Sequence, residues 1–375
     1  MNRFEQAKNK VLEGLGELKQ QHLEKSHEKR QKKEVSLFVR EAVFGDCLRE
    51  AVYDVESRMP TLPPVLAVPP PLPTDSQEKE RCVVCVISDV HIGEETLADG
   101  LGKKYGRQQE SRRIAHLTEQ ICSFKQQYKN RTCYLLFAGD LISGKLHDPT
   151  EGRLLSEQMT DAMYLFSSLV RRVAAAYRKV VVYSVAGNHD RNKHRHEERA
   201  TYEKHDSFER VIMDGIRHLC GSMGGNVEWH LDDTPVAFPV ICGHTFAVTH
   251  GDTHLKGGVV GKSVNMEKIQ TFVCSLNSDR AMQGLPPIEG LIVGHYHVPT
   301  MSISPQGVTV VVNGAMVPPN AFAKSIGIHG AKGAGQWIFE TTESYPIGDT
   351  RLVRFDERVD ENEELDQIIP PLVRR

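Results

Sequence analysis

Short apolar runs that stop abruptly in polar residues mark the middle of the chain. Cys82 to Ile87 is continuously apolar, as a strand buried on both faces requires, and it ends in Ser88-Asp89-Val90-His91-Ile92-Gly93. Thr132 to Ala138 ends in Gly139-Asp140, and Lys179 to Val185 leads into Gly187-Asn188-His189-Asp190. Phe246 to Thr249 ends in His250-Gly251-Asp252, and Leu291-Ile292-Val293 ends in Gly294-His295-Tyr296-His297. Helical periodicity fills the first gaps, with Ile114, Leu117, Ile121 and Phe124 on one face and a longer pattern from Leu154 to Tyr177. A charged loop and helix are expected over 191–218, and another helix around Met266 to Met282. Further strands are expected over 236–242, 301–304 and 308–312 and near Trp337. Strand, helix, strand, helix, strand predicts a layered α/β domain.

The flanks read differently. Residues 1–59 predict a helical region with a broad apolar face that must bury against the main domain or a second subunit. Its run Lys29-Arg30-Gln31-Lys32-Lys33 reads as a solvated helix face before it reads as a nucleic-acid contact. Residues 60–79 are proline-rich and predict an extended, semi-rigid linker. The main domain is expected over 80–345, followed by an acidic C-terminal tail over 346–375.

Composition narrows the function classes. With 46 basic and 49 acidic residues the formal charge is −3, so the molecule as a whole is no polycation. Any contact with nucleic acid would need a local basic patch or metal ions. The start Met1-Asn2-Arg3-Phe4-Glu5 is polar and no apolar run reaches spanning length, so neither a signal peptide nor a membrane segment is expected, and a cytoplasmic location is the default. The eight cysteines form no paired framework. Cys82 and Cys85 stand three apart in a strand, on opposite faces, and read as buried structural residues rather than a zinc or redox pair.

The strand ends carry the candidate chemistry: Asp89, His91, Asp140, Asn188, His189, His250, His295 and His297. Each cluster alone has an ordinary explanation, since Gly-Asp is often a turn and Gly-His-x-His can be two structural histidines. Five together, each closing a buried strand, place carboxylates, an amide and imidazoles at one sheet edge. Unpaired carboxylates there are costly, and a divalent metal pair would offset that cost. Mixed carboxylate and imidazole suits manganese, zinc or iron better than magnesium.

This series resembles the calcineurin-like metallophosphoesterase superfamily over about residues 82 to 340. The resemblance implies a four-layer β-sandwich flanked by helices, here with an N-terminal helical extension. It implies Asp89, His91 and His297 on one metal, Asn188, His250 and His295 on the other, and Asp140 bridging both. It implies His189 as the group that meets the phosphate and protonates or stabilises the leaving group, and Asp190 as the residue that orients His189 through a hydrogen bond. The expected reaction is attack of a metal-bridged hydroxide on phosphorus, with two divalent ions, manganese first and zinc, iron or magnesium as alternatives.

Within the superfamily, the absence of Asp-Arg-Gly after Asp140 and the presence of Asp190 rather than Glu argue against the protein-phosphatase branch. Ser88 to Gly93 and the stretch Gly139 to His147 are similar to the DNA-repair exonuclease branch and its phage-encoded relatives. A DNA exo- or endonuclease is therefore the first expectation. A small-molecule phosphoesterase acting on nucleotides, cyclic nucleotides or pyrophosphates is the alternative, and a non-catalytic scaffold comes last. Lys104, Arg107, Lys145, His147 and Arg153 are the candidate phosphate-backbone contacts, with Lys103, Arg112 and Arg113 nearby. The acidic tail would repel DNA, and the loop over 94–106 is expected to act as a lid or substrate guide. DNA is the expected partner, with self-association through the N-terminal helices as a further expectation.

Overall fold

The structure is a computed structural model that describes residues 81–96, 104–125, 131–145, 152–192, 206–221, 225–232, 234–255, 258–259, 263–318 and 334–372. The expected N-terminal helices, the proline-rich linker, His147 and most of the proposed lid lie outside these residues.

The run from Cys82 forms β1 (Arg81–Ile87), and it sits in the middle of a six-stranded sheet. It pairs in parallel with β2 (Thr132–Phe137), which pairs in parallel with β3 (Lys179–Ser184), and β4 (Val227–His230) closes that side. On its other side β1 pairs antiparallel with β13 (Gly335–Thr342), and β14 (Thr350–Arg354) forms the edge. The second sheet runs β11 (Thr300–Ile303), β12 (Thr309–Val312), β10 (Gly290–Val293), β7 (His244–Thr249), β5 (Val236–Ala237), with β6 (Val240–Ile241) also pairing with β7. A two-stranded ribbon joins β8 (Gly258–Val259) to β9 (Ser263–Val264). The single strand expected over 236–242 is two two-residue strands, because Pro239 lies between them and offers no N–H to a ladder.

Alternation sorts the side chains of β1. Cys82, Val84 and Val86 join Leu136, Val185, Phe246, Val248, Ile292, Val311 and Phe339 in the core shared by the two sheets. Val83, Cys85 and Ile87 are also fully buried, on the face that the helices cover. There α1 (Arg107–Ser123), α2 (Leu155–Ala176) and α3 (Phe208–Cys220) pack side by side, and Phe166 of α2 meets Phe137 of β2 edge-on with ring centroids 5.4 Å apart. On the far side, Ile269 and Val273 of α4 (Met266–Met282) pack on Leu291, Val293, Val310 and Val312. The layers are helices, sheet, sheet, helix, which is the four-layer α/β sandwich that the strand pattern and the resemblance implied. Cys82 and Cys85 point to opposite faces, and burial pushes the Cys85 thiol up, away from reactivity.

The C-terminal segment differs from the expected free acidic tail. Residues 350–354 form the edge strand β14, and residues 356–372 fold back along α1 as a short helix, α5 (Glu357–Asp360), and a 3-10 turn over Glu363–Gln367. Arg112 makes a two-pronged pair with Asp366 at 2.9 and 2.8 Å, and Arg113 pairs with both oxygens of Asp360. Leu365, Ile369 and Leu372 are buried, and Asp360 and Asp366 pair with the core while Glu357, Glu361, Glu363 and Glu364 stay exposed. No helix among the described residues is long and apolar enough to cross a membrane.

Candidate metal centre

The polar residues that end the strands converge from both sheets. Asp89 and His91 follow β1, Asp140 follows β2, and Asn188 and His189 follow β3, all on the first sheet. His250 follows β7, and His295 and His297 follow β10, on the second. Ligand atoms of Asp89, His91 and His297 lie within 4.8 Å of one another, as do those of Asp140, His250 and His295, and those of His91, Asp140 and His189. Asp140 and His91 each belong to two of these groups.

The backbone is bent to achieve this. Asp89 (φ 52°), His91 (φ 50°), Asp140 (φ 54°), His295 (φ 68°) and His297 (φ 57°) all occupy the left-handed region, which costs an ordinary residue free energy. Close approach makes a further demand at Gly187, where a Cβ would stand 2.1 Å from Asp140 Oδ1. No side chain larger than hydrogen fits there.

Buried hydrogen bonds hold the carboxylates in place. Asp89 accepts from the Ser88 hydroxyl at 2.5 Å and from the backbone N–H of His295 at 2.9 Å. Ser88 is itself anchored by Gln336 and Asn313: its N–H donates to Gln336 Oε1 at 2.9 Å and its hydroxyl accepts from Asn313 Nδ2 at 3.0 Å. Asp140 accepts from the N–H of His189 at 2.8 Å.

Asp190 differs from expectation. Its carboxylate does not meet the His189 ring. It accepts from the backbone N–H groups of Gly187 at 2.8 Å, Asp140 at 2.7 Å and Leu141 at 3.0 Å, tying two motif loops together. Burial, reinforced by the Asp140 carboxylate, pushes it up to about 6. The His189 ring is held instead by the Ser143 carbonyl, 2.8 Å from Nδ1. Ser143, Gln336 and Asn313 act through contacts with residues far away in sequence, so no local pattern reveals what they hold.

The donor set fits divalent cations. His250 Nδ1 donates to the Ala138 carbonyl at 2.8 Å, which leaves Nε2 facing Asn188 Oδ1 at 3.0 Å and Asp140 Oδ2 at 3.2 Å. Three acceptor lone pairs then meet, an arrangement that only a proton or a metal cation can satisfy. Burial opposes charge on His250, but the Asp140 carboxylate prevails and holds it up at about 10. Burial also works against Asp140, yet His250 and His189 keep it well below the usual carboxylate range. His91 Nε2 and His297 Nε2 face each other at 3.2 Å, and His297 Nε2 stands 3.2 Å from Asp89 Oδ1. Burial and the nearby His189 depress His91 well below the ordinary histidine value, and burial with His250 brings His295 down to about 4. Neutral imidazoles of this kind are metal donors.

The expected phosphate contacts separate. Arg153 is buried and pairs with Glu110 and Asp161, and Arg107 donates to Asp161 at 3.0 Å. Arg112 and Arg113 are committed to Asp366 and Asp360. Arg112, Arg113 and Arg153 are buried and Arg107 is half-buried, and each is held by a carboxylate. Lys104 is exposed. Lys145 follows Gly144 beside the His189 loop and donates to Asn192 Oδ1 at 3.1 Å. Arg191, not anticipated as a site residue, pairs with Asp252 and so joins the loop after His189 to the loop after His250.

A family model described as calcineurin-like phosphoesterase matches residues 83–299. No curated protein matches the chain. Among solved structures, the chain is similar to a hypothetical protein from Pyrococcus horikoshii at 13% identity, covering 78% of this chain and 100% of that one with a TM-score of 0.38. It is similar to a dimetal phosphatase from Danio rerio at 8% identity, covering 73% and 99% with a TM-score of 0.35. A 5'-nucleotidase from Candida albicans aligns at 11% identity over 77% of this chain and 56% of that one, with a TM-score of 0.36.

Proposed function

The chain belongs to the calcineurin-like phosphoesterase family, and on that premise we propose that it hydrolyses phosphodiester bonds at the edge where the two sheets meet. The observation that carries this reading is the convergence of Asp89, His91 and His297, and of Asp140, His250 and His295, into two adjoining groups that share Asp140's neighbourhood. The first group would hold one divalent cation, the second, with Asn188, would hold another, and Asp140 would serve both. Bound there, the cations would neutralise phosphoryl charge and make a nearby water acidic enough to lose a proton near neutral pH. Manganese is the first choice for these oxygen and nitrogen donors, with zinc, iron and magnesium as alternatives.

The protein groups divide the remaining work. The Ser143 carbonyl can only accept, so His189 Nδ1 keeps its proton and Nε2 is the atom that gives one up. From the imidazolium form, Nε2 delivers that proton to the departing oxygen. Asp190 keeps the loops that carry Asp140 and His189 in register. Lys145 stands beside these loops and would meet the anionic remainder of the substrate, while Arg191, paired with Asp252, ties the loops after His189 and His250 together.

DNA is the substrate we favour, because the Ser88 to Gly93 and Gly139 to Gly144 motifs resemble the DNA-repair exonuclease branch. A small phosphoester is the second reading. It is favoured by the carboxylate pairing of Arg107, Arg112, Arg113 and Arg153, which leaves these four cations less available as a track for a polyanion. The experiment is to load the full chain with manganese and assay linear DNA, bis-(4-nitrophenyl) phosphate and 4-nitrophenyl phosphate in parallel. Cleavage of DNA that is lost in Asp140→Ala and His189→Ala is the expected result. Turnover of the small esters without DNA cleavage would establish the second reading, and no turnover with manganese, zinc, iron or magnesium would overturn both.

A further inference from the structure

The Ser143 carbonyl that holds His189 belongs to a peptide bond whose other end is also held. The N–H of Gly144, in the same peptide plane, donates to Gln158 Oε1 at 2.8 Å. Gln158 lies in the first turns of α2 and is 4% exposed. Its Nε2 donates to the Arg153 carbonyl at 2.8 Å, which fixes the orientation of the amide. Its aliphatic part lies against Gly93, where a Cβ would come 2.3 Å from Gln158 Cγ. One side chain therefore touches the loop after the first motif and the loop after the second.

A trans peptide is planar, with its C=O and N–H pointing in opposite directions. An acceptor on the N–H side thus sets the direction of the C=O on the other side. This matters because Gly144 sits at φ +65°, a conformation open to glycine, so the 143–144 peptide is of the kind that can turn over. A Cβ at Gly144 would stand 2.0 Å from the His189 carbonyl oxygen, so no stiffer residue can take its place. With the carbonyl turned away, His189 Nδ1 would lose its acceptor, and Nε2 would lose its aim and its fixed tautomer. The Ser143 hydroxyl, which donates to the His91 carbonyl at 3.1 Å, anchors the residue from its side chain but leaves the plane of the following peptide unset.

We propose that Gln158 is a positioning residue for His189, acting through the 143–144 peptide. The proposal rests on the phosphoesterase reading for its kinetic consequence, though not for its structural one. A proton delivered by His189 helps an alkoxide leave far more than it helps a nitrophenolate, which departs readily without it. A change that only loosens the fold would slow both substrates alike.

The test compares wild type, Gln158→Met and Gln158→Glu as manganese-loaded full chains on two phosphodiesters, one with a 4-nitrophenolate and one with an alkoxide leaving group. Gln158→Met keeps the shape and loses the acceptor. It should lower kcat on the alkoxide ester by about tenfold or more, within the range of a lost general acid, with the nitrophenyl ester changed by about twofold and KM little altered. Gln158→Glu retains an oxygen for the Gly144 N–H but sets a second acceptor against the Arg153 carbonyl, so it should recover part of the loss. In a His189→Ala background, Gln158→Met should have no further effect. A structural readout runs in parallel on the zinc-loaded proteins, where no paramagnetic ion broadens the signals: imidazole 15N spectra, assigned with His189→Ala, should show a single Nδ1–H form of His189 in wild type and mixed tautomers in Gln158→Met. Equal loss on both esters, or an unchanged His189 spectrum, overturns the proposal. Absence of turnover in wild type would refute the phosphoesterase reading, and the spectra would still decide the role of Gln158.

Discussion

His250 is the residue in which the charge of the centre is most plainly expressed. Its Nδ1 is committed to the Ala138 carbonyl, so the proton held up at about 10 by Asp140 resides on Nε2, where a cation would bind. A metal ion must displace that proton. Loading the metal-free protein at pH 7.5 should therefore release close to one proton from this residue. Calorimetry in buffers of different ionisation enthalpy will read the release, and His250→Ala should abolish it. The sign of the pH effects follows. Metal affinity should rise with pH as the competing proton weakens. The stability that the raised value gives the metal-free protein should be complete below about 6.5 and fade as pH climbs toward about 10. A metal-free melting temperature that rises across that window would contradict the assignment.

At the scale of elements, the strand ends were legible because each closes an apolar run, and a buried run that stops in Asp, Asn or His has few ordinary explanations. The layered order of strands and helices was legible for the same reason. The C-terminal segment was not. Over 356–372 its acids outnumber its apolar residues, and the partners of Asp366 and Asp360, Arg112 and Arg113, lie 254 and 247 positions away. Only the fold shows that Asp360 and Asp366 are spaced to meet consecutive arginines of α1 while Leu365 and Ile369 enter the core. Asp190 was misread in a related way: its neighbour in sequence is His189, but the donors that surround it are the backbone N–H groups of Gly187, Asp140 and Leu141. A docked segment and a solvated one differ measurably. Arg113, at 2% exposed, pairs with Asp360 and reaches the Met316 carbonyl. Arg113→Ala should cost about 3–5 kcal/mol, the usual result of breaking a buried pair. Removal of 356–375 should lower the melting temperature further. A truncated protein that melts with the full chain would show the segment to be undocked in solution.

At the scale of the whole molecule, the centre is a joint between two sheets. Asp89, His91, Asp140 and Asn188 come from the first sheet, and His250, His295 and His297 from the second. Each proposed cation would thus take ligands from both, so metal binding should stabilise the sandwich as a unit rather than one loop. Mass action sets the size: a ligand that binds only the folded state adds about 2.7 kcal/mol at a concentration a hundred times its Kd. Thermal unfolding followed by far-ultraviolet circular dichroism and by Trp229 and Trp337 fluorescence, which report β4 and β13, should show one coincident transition that moves upward with manganese and returns with a chelator. Loss of a ligand from either sheet should remove the same increment, so Asp89→Asn and His297→Ala should each forfeit the part due to the first cation, and the double variant should lose no more than either alone. If only one of these variants responded, the metals would be bound by a single sheet and the sandwich would owe them nothing.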